Sequence, residues 1–355
     1  MSDVLLSPKD KKDTLPYSRP ATPDHGHRVG VYGLGAIGYH VAKNLANSLS
    51  SLPLVVYNRT VAKSEKLAKE LGPNKVSIVQ SPAELVDSCD IIFTILANDE
   101  VVKSAYKQFY QALQATPSGT VKIFVESSTI YPTVAGELDN LISSVSHARF
   151  ITCPVFGAPA VAAKGLLIAA MSGDYRSKKE VAYLLVPAVA QKVIDLGGNV
   201  EKGSAPTFKL FGNSLILGTM EAMAESLTLA EKAGVDSSVA LTLLNDLFPA
   251  PIMTGYADKM AHDRFDGTQG FSIDGGIKDA SHIRRLTSEL NSPMPLIDIA
   301  HQHMLTARAG HISNTLQGTA KYETLDWSAL VSGVRVTAGL AATGSGSHTG
   351  VVLDE

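Results

Sequence analysis

The chain has 355 residues, enough for two domains that each bury a core, and its 45% hydrophobic and 18% charged residues exclude a disordered polymer. A net charge of -3 gives no electrostatic basis for nucleic acid or an anionic membrane as partner. Two cysteines, Cys89 and Cys153, supply neither a disulfide framework nor metal-ligand spacing, so the expectation is a reduced, cytoplasmic compartment and no metal.

Residues 1–27 are polar, with Pro8, Pro16, Pro20 and Pro23 and four aspartates. They lack the apolar core of a signal peptide, are too acidic for a transit peptide, and read as a flexible tail. Val29–Tyr32 is then a short apolar strand, followed by Gly33-Leu34-Gly35-Ala36-Ile37-Gly38 and a helical pattern to Leu49. Strand, Gly-x-Gly-x-x-Gly and helix in that order form the dinucleotide-binding turn. The first glycine allows the turn, the second lets backbone approach a pyrophosphate, and the third lets helix pack on strand. The helix N-terminus then faces the phosphates.

Leu54–Tyr57 predicts the second strand. A carboxylate placed about 20 residues beyond the glycines would bind an NAD ribose. This chain has Asn58, Arg59 and Thr60 there, a guanidinium and two hydrogen-bonding side chains suited to a 2′-phosphate. NADP(H) is therefore the expected cofactor. Further strands are expected at Ile91–Leu96, Lys122–Glu126, Phe150–Pro154, Leu166–Met171 and Lys192–Leu196, with helical stretches between them, for example at Val61–Leu71, Ser81–Cys89 and Val101–Leu113. The alternation implies a mostly parallel, doubly wound α/β sheet over 28–196.

Past Gly203 the strand signal stops. Ser204–Ala233 reads as one long helix, capped by Ser204 and ended by Gly234. Helices are expected at Ser237–Leu247, Gly255–Ala261, Ile277–Leu290, Pro295–Ala309 and Trp327–Val336. Residues 197–336 thus form an all-helical domain, and 337–355, rich in Gly, Ala, Ser and Thr, a second flexible tail. Gly203–Met220 is apolar but carries Lys209 and Asn213, which marks a buried core helix and not a membrane span. Glu221 and Glu225, four apart, read as a solvated face.

Lys209 is the only charged residue between Lys202 and Glu221. Partial burial, a nearby nicotinamide cation and the positive end of its own helix each lower a lysine's pKa, which suits proton exchange near neutral pH. Asn213, one turn on, could orient a hydroxyl or carbonyl beside it.

With these residues the chain resembles the β-hydroxyacid dehydrogenases, the 3-hydroxyisobutyrate and 6-phosphogluconate dehydrogenase-like group, from about Arg28 to Val336. The resemblance rests on Gly33–Gly38 with Asn44, on Glu126-Ser127-Ser128-Thr129-Ile130-Tyr131-Pro132, and on Pro154-Val155-Phe156-Gly157-Ala158-Pro159. It continues through Gly203–Asn213 and Phe271 with Lys278-Asp279. It implies a hydride exchanged between the nicotinamide and a β-hydroxyacid or related aldehyde or ketone, with Lys209 as proton donor or acceptor and Asn213 as its partner. It implies substrate contacts at Ser128, Thr129, Gly157, Ala158 and Asn213, and cofactor contacts at Leu96, Ala97, Thr129 and Lys278. It also implies a homodimer paired through the helical domain. The chain departs from the family at Glu126, usually aspartate, at Tyr131, and at Phe156 and Ala158, which replace a serine and a second glycine. Bulkier, more apolar groups at these places count against a small hydroxyacid. Gly212 stands where 6-phosphogluconate dehydrogenases carry a histidine, so that activity is not expected. Imine reduction is a second enzyme reading, disfavoured by the retained Lys209. A non-catalytic NADPH sensor or scaffold is a third.

Overall fold

The computed structural model describes residues 15–18, 26–115 and 119–344. The chain forms two compact units, Met1–Lys209 and Leu210–Glu355, and the division falls within a helix, later than the end of the strand signal at 196.

In the first unit the strands are β1 (Val29–Tyr32), β2 (Leu54–Tyr57), β3 (Val76–Ile78), β4 (Ile91–Thr94), β5 (Lys122–Glu126), β6 (Ala148–Thr152), β7 (Val155–Phe156), β8 (Leu167–Gly173) and β9 (Ala190–Asp195). The sheet order is β3-β2-β1-β4-β5-β6-β8-β7, with β9 beside β8. The pairs from β3 to β6 are parallel, as is β8/β9, whereas β6/β8 and β7/β8 are antiparallel. β1 and β4 are buried at every position, as near-continuous apolar runs require when helices cover both faces. Strand order reverses between β1 and β4, and a doubly wound sheet takes its ligand at such a crevice, beyond the carboxyl ends of the strands.

The covering helices are α1 (Ala36–Ser48), α2 (Val61–Leu71), α3 (Pro82–Ser88), α4 (Asp99–Ala115), α5 (Pro132–Ser143), α6 (Pro159–Ala163) and α7 (Tyr175–Leu185). The strand and helix pattern named neither β3 nor α5 to α7. Pro132 and Pro159 each sit in the first helical turn, and Asp174 caps α7 by accepting from the Ser177 amide at 2.8 Å.

α8 (Ser204–Lys232) carries the chain into the second unit. There follow α9 (Ser237–Leu247), α10 (Pro251–Ala261), α11 (Ile273–Glu289), α12 (Pro295–Leu316), a 3-10 turn at Trp327–Ala329, and α13 (Leu330–Thr337). α11 starts earlier than its apolar periodicity suggests because Ser272 caps it, accepting from the Gly275 amide at 3.2 Å. Leu217, Met220 and Ala224 of α8 belong to one core with Met260, Ile283, Met304, Trp327 and Leu330. Phe211 and Leu215 of the same helix are 55% exposed, so the apolar run is not wholly a core helix. No helix among the described residues is long and apolar enough to cross a membrane.

Two further expectations are corrected. Glu221 is not on a solvated face: it is fully buried, and His303 of α12 meets its Oε1 through Nδ1 at 2.5 Å. Most of the two expected tails lies outside the described residues, but the described parts are packed. Tyr17 is buried in the core of the first unit, beside Tyr175, and its carbonyl accepts from the Tyr183 hydroxyl at 3.2 Å. Leu340 is buried, and the Gly344 amide donates to Asp263 Oδ2 at 2.6 Å.

Candidate active site

The turn after β1 shows why three glycines stand there. Gly33 has a φ of +106°, and a Cβ on it would lie 2.1 Å from the Ile95 carbonyl oxygen. A Cβ on Gly38 would lie 2.0 Å from the Gly33 carbonyl oxygen. These two are closed off by the protein itself. At Gly35 a Cβ would meet nothing within 4 Å. Gly35 is the N-cap of α1 and no side chain caps that helix. Open space beside uncapped N–H groups is the shape and charge a pyrophosphate needs, so these residues fit a dinucleotide.

At the end of β2, Asn58 ties the turn to the neighbouring loop. Its Oδ1 accepts from the Leu34 amide at 2.9 Å, and its Nδ2 donates to the Thr60 carbonyl at 2.9 Å. Arg59 and Thr60 remain exposed. A cleft opens here, lined among others by Asn58, Arg59, Ser64 and Gln80. Ser64 is buried and its hydroxyl has no partner within the protein.

At the ends of β4 and β5, two loops are joined by one serine. The Leu96 amide donates to Ser128 Oγ at 2.8 Å, and the Ser128 amide donates to Glu126 Oε1 at 2.6 Å. Glu126 and Ser128 are buried, while Thr129 is half-buried and Ala97 exposed. Burial pushes the Glu126 carboxyl up to about 8, against hydrogen bonds from Ser128 and Tyr106 that stabilise its anion. The Tyr131 amide donates to the Asp99 carboxylate, 3.3 Å from each oxygen, which fixes the far end of the loop.

The next segment, β7 with Gly157 and Ala158, follows β6 and leads into α6. Gly157 has a φ of +141°, and a Cβ there would lie 2.6 Å from Leu167 Cδ2. The Phe156 ring packs edge to face on Phe208, with centroids 5.8 Å apart. Lys209 Nζ lies over the Phe156 ring, 4.6 Å from its centroid. Phe156, Phe208 and Lys209 are all half-buried.

In the second unit, Asn213 is buried one turn beyond Lys209 on α8. Its Nδ2 donates to Asp279 Oδ2 at 2.6 Å, and Lys278 Nζ lies 2.8 Å from Asp279 Oδ1. A carboxylate can only accept, so this bond turns the Asn213 carbonyl oxygen away from Asp279. Phe271 packs edge to face on Trp327 at 4.8 Å, and its amide donates to the buried Asp326 carboxylate at 2.9 Å.

Residue spacing did not reveal the links made by Glu126 and Asp279 or the burial of Ser64. Glu126 ends an apolar strand, Ile123-Phe124-Val125, and a carboxylate in that setting is the one local signal available. Asp279 and Asn213 are 66 residues apart, and no local pattern pairs them.

A glycine turn open to a pyrophosphate at the switch point of a doubly wound sheet, followed by an all-helical unit, defines an NAD(P)-dependent dehydrogenase or reductase. The comparisons with known proteins narrow the class. Residues 28–198 match the NAD binding domain of 6-phosphogluconate dehydrogenase, and residues 203–322 match the NAD-binding domain of NADP-dependent 3-hydroxyisobutyrate dehydrogenase. The chain belongs to the β-hydroxyacid dehydrogenase family. It is 27% identical over 313 residues to the uncharacterized oxidoreductase YfjR of Bacillus subtilis, covering 87% of this chain and 100% of that one. It is 29% identical over 253 residues to the NADH-dependent oxidoreductase ucdB of Aspergillus ustus, covering 71% and 82%. The crystal structure of 3-hydroxyisobutyrate dehydrogenase (ygbJ) from Salmonella typhimurium aligns with a TM-score of 0.70 at 20% identity, over 86% of this chain and 98% of that one. At that identity the structural likeness speaks to the fold.

Proposed function

We propose that the protein is an NADP(H)-dependent oxidoreductase that interconverts a carbonyl compound and its alcohol, with Lys209 moving the proton. The observation that carries this reading is the placement of Lys209. It stands in the early turns of α8 with its ammonium over an aromatic face, in a stretch otherwise free of charge. The bound nicotinamide supplies or accepts the hydride. Gly33 to Gly38 hold the pyrophosphate; Leu96, Ala97, Thr129 and Lys278 border the nicotinamide end. Arg59, Thr60 and the unpartnered Ser64 hydroxyl receive the ribose 2′-phosphate, while Asn58 holds the turn to them. NADP fits this cleft better than NAD because it offers a guanidinium and no carboxylate.

Lys209 gives its proton to the substrate oxygen in reduction and takes it back in oxidation. Asn213, held by Asp279, presents a carbonyl oxygen that accepts from a substrate hydroxyl. Thr129, Gly157 and Ala158 border the substrate. Ser128, whose amide and hydroxyl are both engaged by the protein, sets the position of Thr129 and Leu96.

The protein pairs with a second copy of itself. α9 has no buried residue, and Val239, Leu243 and Leu247 form a stripe on it at 60–62% exposure. Apolar residues repeating every four positions without a partner mark an interface, and Leu229 and Phe248, both exposed, flank the same helix in sequence. Light scattering at micromolar concentration tests this: a 37.5 kDa particle contradicts it. The compartment is the reducing cytoplasm, in keeping with two buried free thiols.

The deciding experiment is oxidation of NADPH and NADH against aldehydes, ketoacids and imines. Turnover of carbonyls with NADPH is expected. Imines alone as substrates, or tight NADPH binding without turnover of any compound, defeats the reading.

A further inference from the structure

The segment whose Phe156 ring faces Lys209 is poor in polar side chains. Val155, Phe156, Gly157 and Ala158 together present no side-chain hydrogen-bond donor. Gly157 cannot gain one by substitution, because its φ is +141° and Leu167 and Val161 crowd the place of its Cβ at 2.6 and 3.0 Å. Pro159 follows and has no N–H. The ring of Phe156 faces the ammonium of Lys209 and meets Phe208 edge to face. All three side chains are half-buried, so an aromatic wall lies against the proton-transfer group and still reaches the surface.

This arrangement bears on what can bind. A carboxylate arriving here finds no side-chain donor on the segment and has Lys209 itself as its strongest partner. An ion pair would hold the lysine in its charged form and take it away from the reacting oxygen. An apolar or aromatic group instead packs on Phe156 and Phe208 and leaves the ammonium directed at the carbonyl.

We propose that Phe156 is the specificity-determining residue of this site, and that the substrate is a carbonyl compound carrying an aromatic or bulky apolar group, with no carboxylate, next to the reacting carbon. The assignment rests on Lys209 acting as the proton-transfer residue, and its test has an arm that needs no turnover.

Two matched pairs of probes are measured on the wild type, Phe156→Ser and Phe156→Leu. In the first arm, kcat/KM with NADPH is compared for phenylacetaldehyde and succinic semialdehyde. In the second, calorimetry gives the dissociation constants of 2-phenylethanol and 4-hydroxybutyrate on the NADPH complex. In the wild type the aromatic member of each pair is favoured by about tenfold or more, because its ring packs on Phe156 and Phe208 where the carboxylate-bearing member has no apolar group to bury. Phe156→Ser reduces that ratio by about tenfold, and Phe156→Leu, still apolar, keeps it within about threefold. Retained binding ratios with no turnover of either aldehyde overturn the oxidoreductase reading and leave the assignment of Phe156 standing. A wild-type preference for the carboxylate-bearing member, or a ratio unchanged in Phe156→Ser, overturns the assignment.

Discussion

The nucleotide turn of the first unit and the buried polar groups of the second are held in different ways. In the first, the nucleotide turn is backbone geometry: a left-handed Gly33, a helix start at Gly35 without a side-chain cap, and an Asn58 that ties two loops together. In the second, polar order comes from buried charges that meet across long stretches of sequence. Arg335 reaches Glu231 at 3.1 Å and Asp263 at 2.6 Å, His303 reaches Glu221, and Asn213 reaches Asp279. The first kind of order is steric and local. The second is electrostatic, and removing one partner leaves the other buried and unpaired. Substitutions should therefore fail differently in the two units.

The largest effect is expected where the units share a helix. Lys209→Ala should lower turnover by about 100-fold or more, the usual scale for loss of a general acid or base. NADPH affinity should stay nearly unchanged, since the groups assigned to the phosphates lie elsewhere. Lys209→Arg should not rescue turnover, because a guanidinium does not give up its proton at accessible pH. Steady-state kinetics beside NADPH titration check both, and near-native turnover of the alanine variant refutes the role.

The glycine turn offers a sharper contrast within one motif. Gly33→Ala places a methyl against the Ile95 carbonyl at an unfavourable φ, and should cost on the order of 3 kcal/mol of stability. Gly35→Ala meets no protein atom within 4 Å and should leave the melting temperature close to wild type. The same methyl fills the space assigned to the pyrophosphate and should weaken NADPH by about tenfold or more. Calorimetry and NADPH titration separate the two outcomes, and equal melting temperatures for both variants would falsify the steric account of Gly33.

How much of this was legible in the sequence follows the same division. The turn was readable because six consecutive residues carry its whole geometry, and the central strands β1, β2 and β4 because each is a near-continuous apolar run. The long helix containing Lys209 was readable from its long apolar run and the Gly234 that follows its end. The burial of Glu221 was not. Its four-residue spacing from Glu225 is that of an exposed face, and only His303, 82 residues later, makes burial tolerable. Tyr17 was hidden because one anchoring side chain within a proline-rich polar stretch makes no periodic pattern.

Asp279 tests the electrostatic side. Asp279→Ala removes the acceptor of the Asn213 amide and a carboxylate that pairs with Lys278, and should cost about 1–3 kcal/mol of stability. It should also lower kcat, because Asn213 is then free to turn its amide about. Asp279→Asn keeps an oxygen that can accept from Asn213 and should recover most of the kcat lost by the alanine variant. If both variants match the wild type in kcat, Asp279 has no positioning role.

Glu126 is a buried carboxyl inside the first unit, and its pH dependence is signed. Its carboxyl titrates near 8 in the folded protein, against about 4.5 in the unfolded chain. Between those values the folded state holds the proton and the unfolded state does not, so this group's contribution to stability falls as pH rises from about 5 to 8. Glu126→Gln removes that slope. Its stability relative to wild type should rise by on the order of 3 kcal/mol between pH 5 and 9, read from denaturant titrations at each pH. A difference that stays flat with pH means the carboxyl is already ionised when folded.

The last expected effect concerns cofactor choice. Arg59 is exposed at the mouth of the cleft past β2, so its contribution is a charge-assisted contact weakened by solvent. Arg59→Ala should weaken NADPH binding by about 1–3 kcal/mol and leave NADH nearly unchanged, because NADH has no 2′-phosphate to lose a partner. The loss should shrink as salt is raised, since an exposed charge pair is screened over about 10 Å at 0.1 M ionic strength. Ser64→Ala should act in the same direction without the salt dependence, because a buried hydroxyl carries no charge to screen. An equal loss for both cofactors would mean that Arg59 supports the shape of the cleft and does not read the phosphate, and cofactor preference would then have to reside elsewhere in the turn.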